Sequence, residues 1–138
     1  MYKTLIVAPP GRIRDGLQLL ISSYPHINLL PPAPDGNTAV EMIRDHGPEL
    51  IILDYNLSGW DESGAAGMGA ETFIQRCKQQ WPNIPCITLV DSPHQVRPAI
   101  EAGADTTLLK GFTIAQLLER IDRLLLQQRL LTGEQATI

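Results

Sequence analysis

The 138 residues carry a net charge of −4 and are 43% hydrophobic but only 19% charged, which excludes a disordered chain and supplies one domain with a core that needs neither disulfide nor structural metal. No basic block occurs, so the positively charged face of a nucleic-acid binder is excluded as well. No apolar run approaches the ~20 residues of a membrane-crossing helix, and Met1-Tyr2-Lys3-Thr4 leads straight into a strand. The expectation is a cytoplasmic chain that meets neither membrane nor nucleic acid.

In chain order, Lys3–Val7 reads as a first strand, followed by a helix on which Ile13, Leu17, Leu20 and Ile21 repeat at helical spacing until Tyr24-Pro25. Ile27–Leu30 is a short second strand, and Pro31-Pro32 marks it as an edge. Thr38 and Glu41 form a capping box that starts a helix carrying Ala39, Val40 and Ile43, closed by Gly47-Pro48. Leu50-Ile51-Ile52-Leu53 then stops on Asp54. Four consecutive large apolar residues predict a strand buried on both faces, as in a parallel sheet covered by helices.

From Ser58 to Gly69 the texture becomes glycine-rich and aperiodic, predicting a long loop. A helix through Glu71, Phe73, Ile74 and Cys77 ends at Trp81-Pro82, and Cys86–Val90 is a fourth strand. Ser92, Pro93 and Gln95 combine an N-cap, a proline at the first helical position and a capping box, starting a helix that ends near Ala102-Gly103. The strand Thr106–Leu109 ends on Lys110. Thr113 and Gln116 cap a last helix with Leu117, Leu118, Ile121, Leu124 and Leu125 on its apolar side. Five strands alternating with five helices predict a doubly wound α/β fold with a five-stranded parallel sheet. Residues 1–127 make the single domain, and 128–138 extend the last helix into a tail.

Ligands of such sheets bind at the carboxyl ends of the strands. There the sequence places Asp54, Lys110 and, after the first strand, only Ala8-Pro9-Pro10. His26, His46 and His94 fall in different elements and do not converge, so each is expected at the surface. Cys77 and Cys86 lack metal-ligand spacing and read as reduced core thiols. Gly59, Gly64, Gly67 and Gly69 follow no strand directly and open no phosphate-binding loop.

With these residues placed, the chain from Tyr2 to about Gln127 resembles the receiver domain of two-component response regulators, which has a flavodoxin-like fold. The resemblance rests on Leu50–Asp54, on Ala99–Ala104 with its Ala-Gly-Ala turn, on Leu108-Leu109-Lys110 and on Leu117-Leu118. Asp35-Gly36 ahead of Ala39, and Pro48 ahead of the third strand, agree. Gly11–Leu20 and Leu109-Lys110 are most like receivers that precede a helix-turn-helix output domain, and no such output domain is expected within these residues.

The resemblance implies phosphoryl transfer from a phosphohistidine to an aspartate. Asp54 would be the acceptor, with Mg²⁺ bridging it to the phosphoryl oxygens and Lys110 holding the product. The backbone carbonyl of Asn56 would be a metal ligand. Positive charge is needed because two anions must approach.

Several positions depart from the pattern. Ala8 and Pro9 stand where the family has the acidic pair that holds Mg²⁺, which needs octahedral oxygens and normally one or two carboxylates. Val90 replaces a hydroxyl residue, Asp91 a small one, and Thr107 the aromatic switch; Gly111 stands where a cis proline or polar residue is usual. An inserted loop carries Trp60, Asp61 and Glu62, of which Asp61 or Glu62 could fold back to replace the lost acids.

The expected reading is therefore an atypical receiver, not an enzyme and without a resident cofactor, in which Lys110 bridges Asp54 and Asp91 as a counter-ion. It would act through a fixed conformation on a protein partner, a histidine kinase or an output protein, or on a second copy. The face of the fourth helix, fifth strand and fifth helix would present Thr107, Ile121, Leu124, Leu130 and Leu131, with Ile121 and Leu124 also serving the core. Two other readings stay open. In one, Asp54 is a true phospho-acceptor with Mg²⁺ on Asp54, Asn56 and Asp61 or Glu62. In the other, an emptied pocket at Ala8, Pro9 and Val90 senses an apolar small molecule.

Overall fold

The apolar run Leu50–Asp54 forms β3, buried along its whole length at the centre of one sheet. The computed structural model describes residues 2–57 and 68–132, with side chains as far as residue 127 in the last helix. The strands β1 (Tyr2–Val7), β2 (Ile27–Leu29), β3, β4 (Cys86–Val90) and β5 (Thr106–Leu109) lie in the order β2-β1-β3-β4-β5, and every pair is parallel. The helices are α1 (Arg12–Ser22), α2 (Gly36–His46), α3 (Ala70–Gln80), α4 (Val96–Ala102) and α5 (Ile114–Thr132). This is the expected flavodoxin-like, doubly wound arrangement.

Side-chain alternation builds two cores from one sheet. Leu5, Val7, Ile51 and Leu53 pack with Ala39, Val40 and Ile43 of α2 and Phe73, Ile74 and Cys77 of α3. Ile6, Leu50, Ile52, Ile87 and Leu89 point the other way, against Leu17 and Ile21 of α1 and Leu117, Ile121 and Leu124 of α5. The chain runs outward from β1 to β2 and then returns to β3 on the other side. The switch leaves a crevice beyond the carboxyl ends of β1, β3 and β4, where the candidate site lies.

Several local expectations are corrected. On α1 only Leu17 and Ile21 are buried, while Ile13 and Leu20 face outward, so the inward stripe is narrower than the apolar spacing suggested. The helix predicted from Thr38 begins earlier: Asp35 is the N-cap, and its carboxylate accepts the Thr38 N–H at 2.7 Å. Ser92 makes no side-chain cap. Pro93–Gln95 form a turn of 3₁₀-helix and α4 starts only at Val96. Pro98 explains the break, because it has no N–H and is accommodated in the first turn of a helix but not further in. The capping box at α5 forms as expected, Thr113 Oγ1 accepting from the Gln116 N–H and Gln116 Oε1 from the Thr113 N–H.

The Ala102-Gly103-Ala104 turn needs its glycine. Gly103 has φ +121°, and a Cβ there would lie 2.6 Å from Cγ of Lys78. Among the described residues no helix is long and apolar enough to cross a membrane.

The core assignment predicts that Ile52→Ala lowers the unfolding free energy by about 2–5 kcal/mol. Leu19→Ala, at a side chain 75% exposed, should change it by no more than ~0.5 kcal/mol. Urea denaturation followed by circular dichroism measures both.

Candidate functional site

Parallel register brings the ends of three strands level. Asp54 is paired with Leu89 and Val90 with Leu109, so Asp54, Asp91 and Lys110 leave the sheet side by side. The Lys110 N–H continues the ladder by donating to the Val90 carbonyl at 2.8 Å, which fixes where its side chain starts.

Lys110 Nζ lies 2.8 Å from Asp54 Oδ1 and 3.0 Å from Asp91 Oδ1. Asp54 Oδ1 also accepts the Asn56 N–H at 3.0 Å, and the side-chain amide of Asn56 donates to Asp91 Oδ2. The Asp91 N–H donates to Gln95 Oε1 at 2.7 Å, tying the same residue to the approach of α4. Two carboxylates thus share one ammonium. The Asp54 and Lys110 side chains are only 5% and 14% exposed, whereas that of Asp91 is 44% exposed.

The electrostatics follow from these bonds. Hydrogen bonds from Lys110 and then Asn56 hold the Asp91 carboxyl below its usual range. Burial alone would lower the Lys110 ammonium, but its bonds to Asp54 and Asp91 outweigh burial and raise it. In the cluster two carboxyl groups face one ammonium, which is already engaged twice.

The described residues do not fit Mg²⁺. Ala8 is fully buried and its N–H is spent on the Ala33 carbonyl at 3.0 Å, and Pro9 offers no donor oxygen on its side chain. The two carboxylates present both bond an ammonium, which would repel a cation. Among the described residues no three acids, histidines or cysteines gather as a metal site. Asp61 and Glu62 lie outside the described residues, as does Trp60.

Val90 is fully buried and cannot donate a hydrogen bond. The nearest hydroxyl along β4, that of the buried Thr88, faces Cys86 Sγ at 3.7 Å instead. Gly111 adopts φ +97°, a conformation that suits glycine as the chain turns from Lys110 into α5. Ala8 and Val90 expose no surface at all, so neither lines a space that an apolar small molecule could enter.

The expected interaction face needs correction. Ile121 and Leu124 are buried against the sheet, because they lie on the inner side of α5, and so offer nothing to a partner. The side chains of Leu130 and Leu131 lie outside the described residues. Thr107 is half-buried, and its carbonyl accepts from Arg120 Nη1 at 2.8 Å while Thr106 Oγ1 accepts from the same nitrogen at 2.5 Å. This arginine clamp between α5 and β5 carries no local sequence signal. Among the described residues, the large apolar side chains that do face solvent on these elements are Ile100, Leu109, Ile114 and Leu126. His26, His46 and His94 are each exposed and apart. Cys77 and Cys86 are buried free thiols, both pushed up to about 12 by burial.

The family model for the response regulator receiver domain matches residues 5–122. The chain belongs to the receiver-domain family. The receiver is 29% identical over 122 residues to the transcriptional regulatory protein LiaR of Bacillus subtilis, covering 88% of this chain and 54% of that protein. It is also 29% identical over 118 residues to the nitrate/nitrite response regulator NarL of Escherichia coli, covering 85% and 51%. The chain therefore spans about half the length of these curated relatives. Among solved structures, the receiver domain of NtrX from Brucella abortus superposes with a TM-score of 0.77 at 25% identity, covering 88% of this chain and 97% of that one. A response regulator from Chloroflexus aurantiacus, at 23% identity, shares the fold with a TM-score of 0.78 over 90% and 97% of the two chains.

Lys110→Met leaves the buried Asp54 without its cation and is expected to cost about 3 kcal/mol or more, most of it recovered when Asp54→Asn is added. Denaturant midpoints of the single and double variants check this. The sign of the pH dependence follows from the two shifts. The depressed Asp91 stabilises the fold above its unfolded value near 3.9 and loses that contribution as pH falls through the lower folded value. The raised Lys110 contributes below its unfolded value of about 10.4 and loses this as pH rises through the higher folded value. The stability difference between the wild type and Asp91→Asn should accordingly be full at pH 7 and shrink progressively below about pH 4. Both thiols should resist Ellman's reagent at pH 8 until denaturant is added.

Proposed function

We propose that this receiver works as a phosphorylation-independent interaction module, holding one conformation for a protein partner. The observation that carries the reading is the engagement of Lys110 by Asp54 and Asp91 together. Transfer to Asp54 needs the lysine and a cation to meet incoming negative charge. Here the lysine is already occupied and Ala8 and Pro9 supply no acid for a metal. A phosphoryl group would bring further negative charge beside Asp91, where the cation of the cluster is already bonded by two carboxylates.

The module catalyses no turnover of its own and resides in the cytoplasm. Its partner is an output protein or a histidine kinase, with self-association as a further form of assembly. The relatives named as transcriptional and nitrate/nitrite regulators make a transcriptional output the natural consequence. The face available for this is the exposed apolar set Ile100, Leu109 and Ile114 on α4, the end of β5 and the start of α5.

A second reading keeps support from one observation: Asp54 and Lys110 stand 2.8 Å apart at the sheet edge, the pair a phospho-acceptor requires. Under that reading Mg²⁺ would be completed by Asp61 or Glu62.

Incubation with Mg²⁺ and acetyl phosphate, followed by intact mass measurement beside Asp54→Asn, separates the two. The wild type is expected to gain nothing. A phosphoryl adduct that is absent from Asp54→Asn would overturn the interaction-module reading.

A further inference from the structure

Asp91 makes bonds that an incoming phosphoryl group would need. Its Oδ1 takes the ammonium of Lys110 at 3.0 Å, and its Oδ2 takes the side-chain amide of Asn56. The same two residues border the Asp54 carboxylate, whose Oδ1 accepts from Lys110 Nζ and from the backbone N–H of Asn56. A carboxylate and a phosphoryl group share the relevant chemistry, since both present anionic oxygens that accept from an ammonium and an amide. Asp91 lies one residue past the end of β4, so it reaches these donors without leaving its own backbone, and the Gln95 bond to its N–H holds that backbone in place.

We infer that Asp91 is a built-in oxyanion surrogate: its carboxylate fills the anion site formed by Lys110 and Asn56 and thereby competes with phosphate-bearing ligands beside Asp54. This rests on the reading of a site held in one conformation and names the residue that holds it. The bonded network runs from Asp54 through Lys110 and Asp91 to Gln95, so the carboxylate that closes the site also secures the turn leading into α4. A tethered group pays no translational entropy for binding, which is why a single carboxylate can outcompete a free anion of higher charge.

The inference predicts a latent anion site that appears when the carboxylate is removed. Uniformly labelled full chain is titrated with inorganic phosphate at pH 7, and the ¹H–¹⁵N signals of Lys110 and the Asn56 side chain are followed. Asp91→Ala is expected to bind phosphate at least tenfold more tightly than the wild type, with saturable shifts at both residues. Adding Lys110→Met to Asp91→Ala should abolish those shifts. Asp91→Asn, which keeps the shape and removes the charge, supplies the same comparison if the alanine variant does not fold. Equal phosphate affinity in the wild type and both variants, or no binding by any of them, overturns the inference. The readout needs no reaction at Asp54. A wild type that is phosphorylated by acetyl phosphate, while Asp91→Ala still binds inorganic phosphate more tightly, would sink phosphorylation independence and leave the surrogate role of Asp91 standing.

Discussion

The buried ion pair between Asp54 and Lys110 is the interaction on which the rest of the site depends. Burying a carboxylate that is only 5% exposed is costly without a partner, and among the described residues Lys110, at 2.8 Å, is the cation that bonds it. The lysine in turn brings Asp91 into the cluster, and Asp91 brings Asn56 and Gln95. The carboxyl ends of β3 and β4, the end of β5 and the approach of α4 are thereby joined through charged and polar bonds, where the hydrophobic cores below join them only by packing.

That cluster can exist because the sheet beneath it is rigid. β3 is flanked by β1 and β4 and covered on both faces, so the position of Asp54 is set by hydrogen-bonded register on two sides. Lys110 reaches its partners from the end of β5, the outer strand, which is steadied by the Arg120 clamp to Thr106 and the Thr107 carbonyl. Asp105 performs a comparable service at the opposite end of β5, accepting from Lys78 Nζ at 2.5 Å and from the Cys86 N–H at 2.7 Å. Polar ties at both ends of the outer strand let a short edge element carry a site residue with a defined position.

Receiver chemistry depends on gathering positive charge around one aspartate. This receiver keeps the aspartate and the lysine but has neutral or negative groups at the remaining positions, with Ala8 and Pro9 after β1 and Val90 and Asp91 at the end of β4. The changes are mutually consistent. The end of β1 offers a divalent cation no carboxylate, and with an acid after β4 the lysine is held without one. A site altered in this concerted way has a resting arrangement of its own, which is the basis of the proposed interaction-module function.

Much of this was determined by the sequence alone. The run Leu50–Leu53 ending on Asp54, the strand ending on Lys110 and the alternation of strands with helices specified the parallel sheet and the two opposed charges, because local periodicity and the rule of strand-end ligand sites depend on nothing distant. The Lys110 bridge to Asp54 and Asp91 was also legible, since three strand ends on one sheet edge must be neighbours. The tertiary structure decided the rest. Which of the α1 leucines and isoleucines face inward is set by how the helix lies on the sheet, so Ile13 and Leu20 turned outward, whereas Ile121 and Leu124 of α5 lie inward as their apolar spacing implied. Asp35 displaced Thr38 as a cap, and Pro98 divided the predicted fourth helix, because caps and breaks depend on the path of the incoming chain. The partners of Asn56, Gln95 and Arg120 lie 35, 4 and 14 residues away along the chain. Side-chain hydrogen bonds of that kind have no periodicity to announce them, and only the folded backbone brings donor and acceptor together.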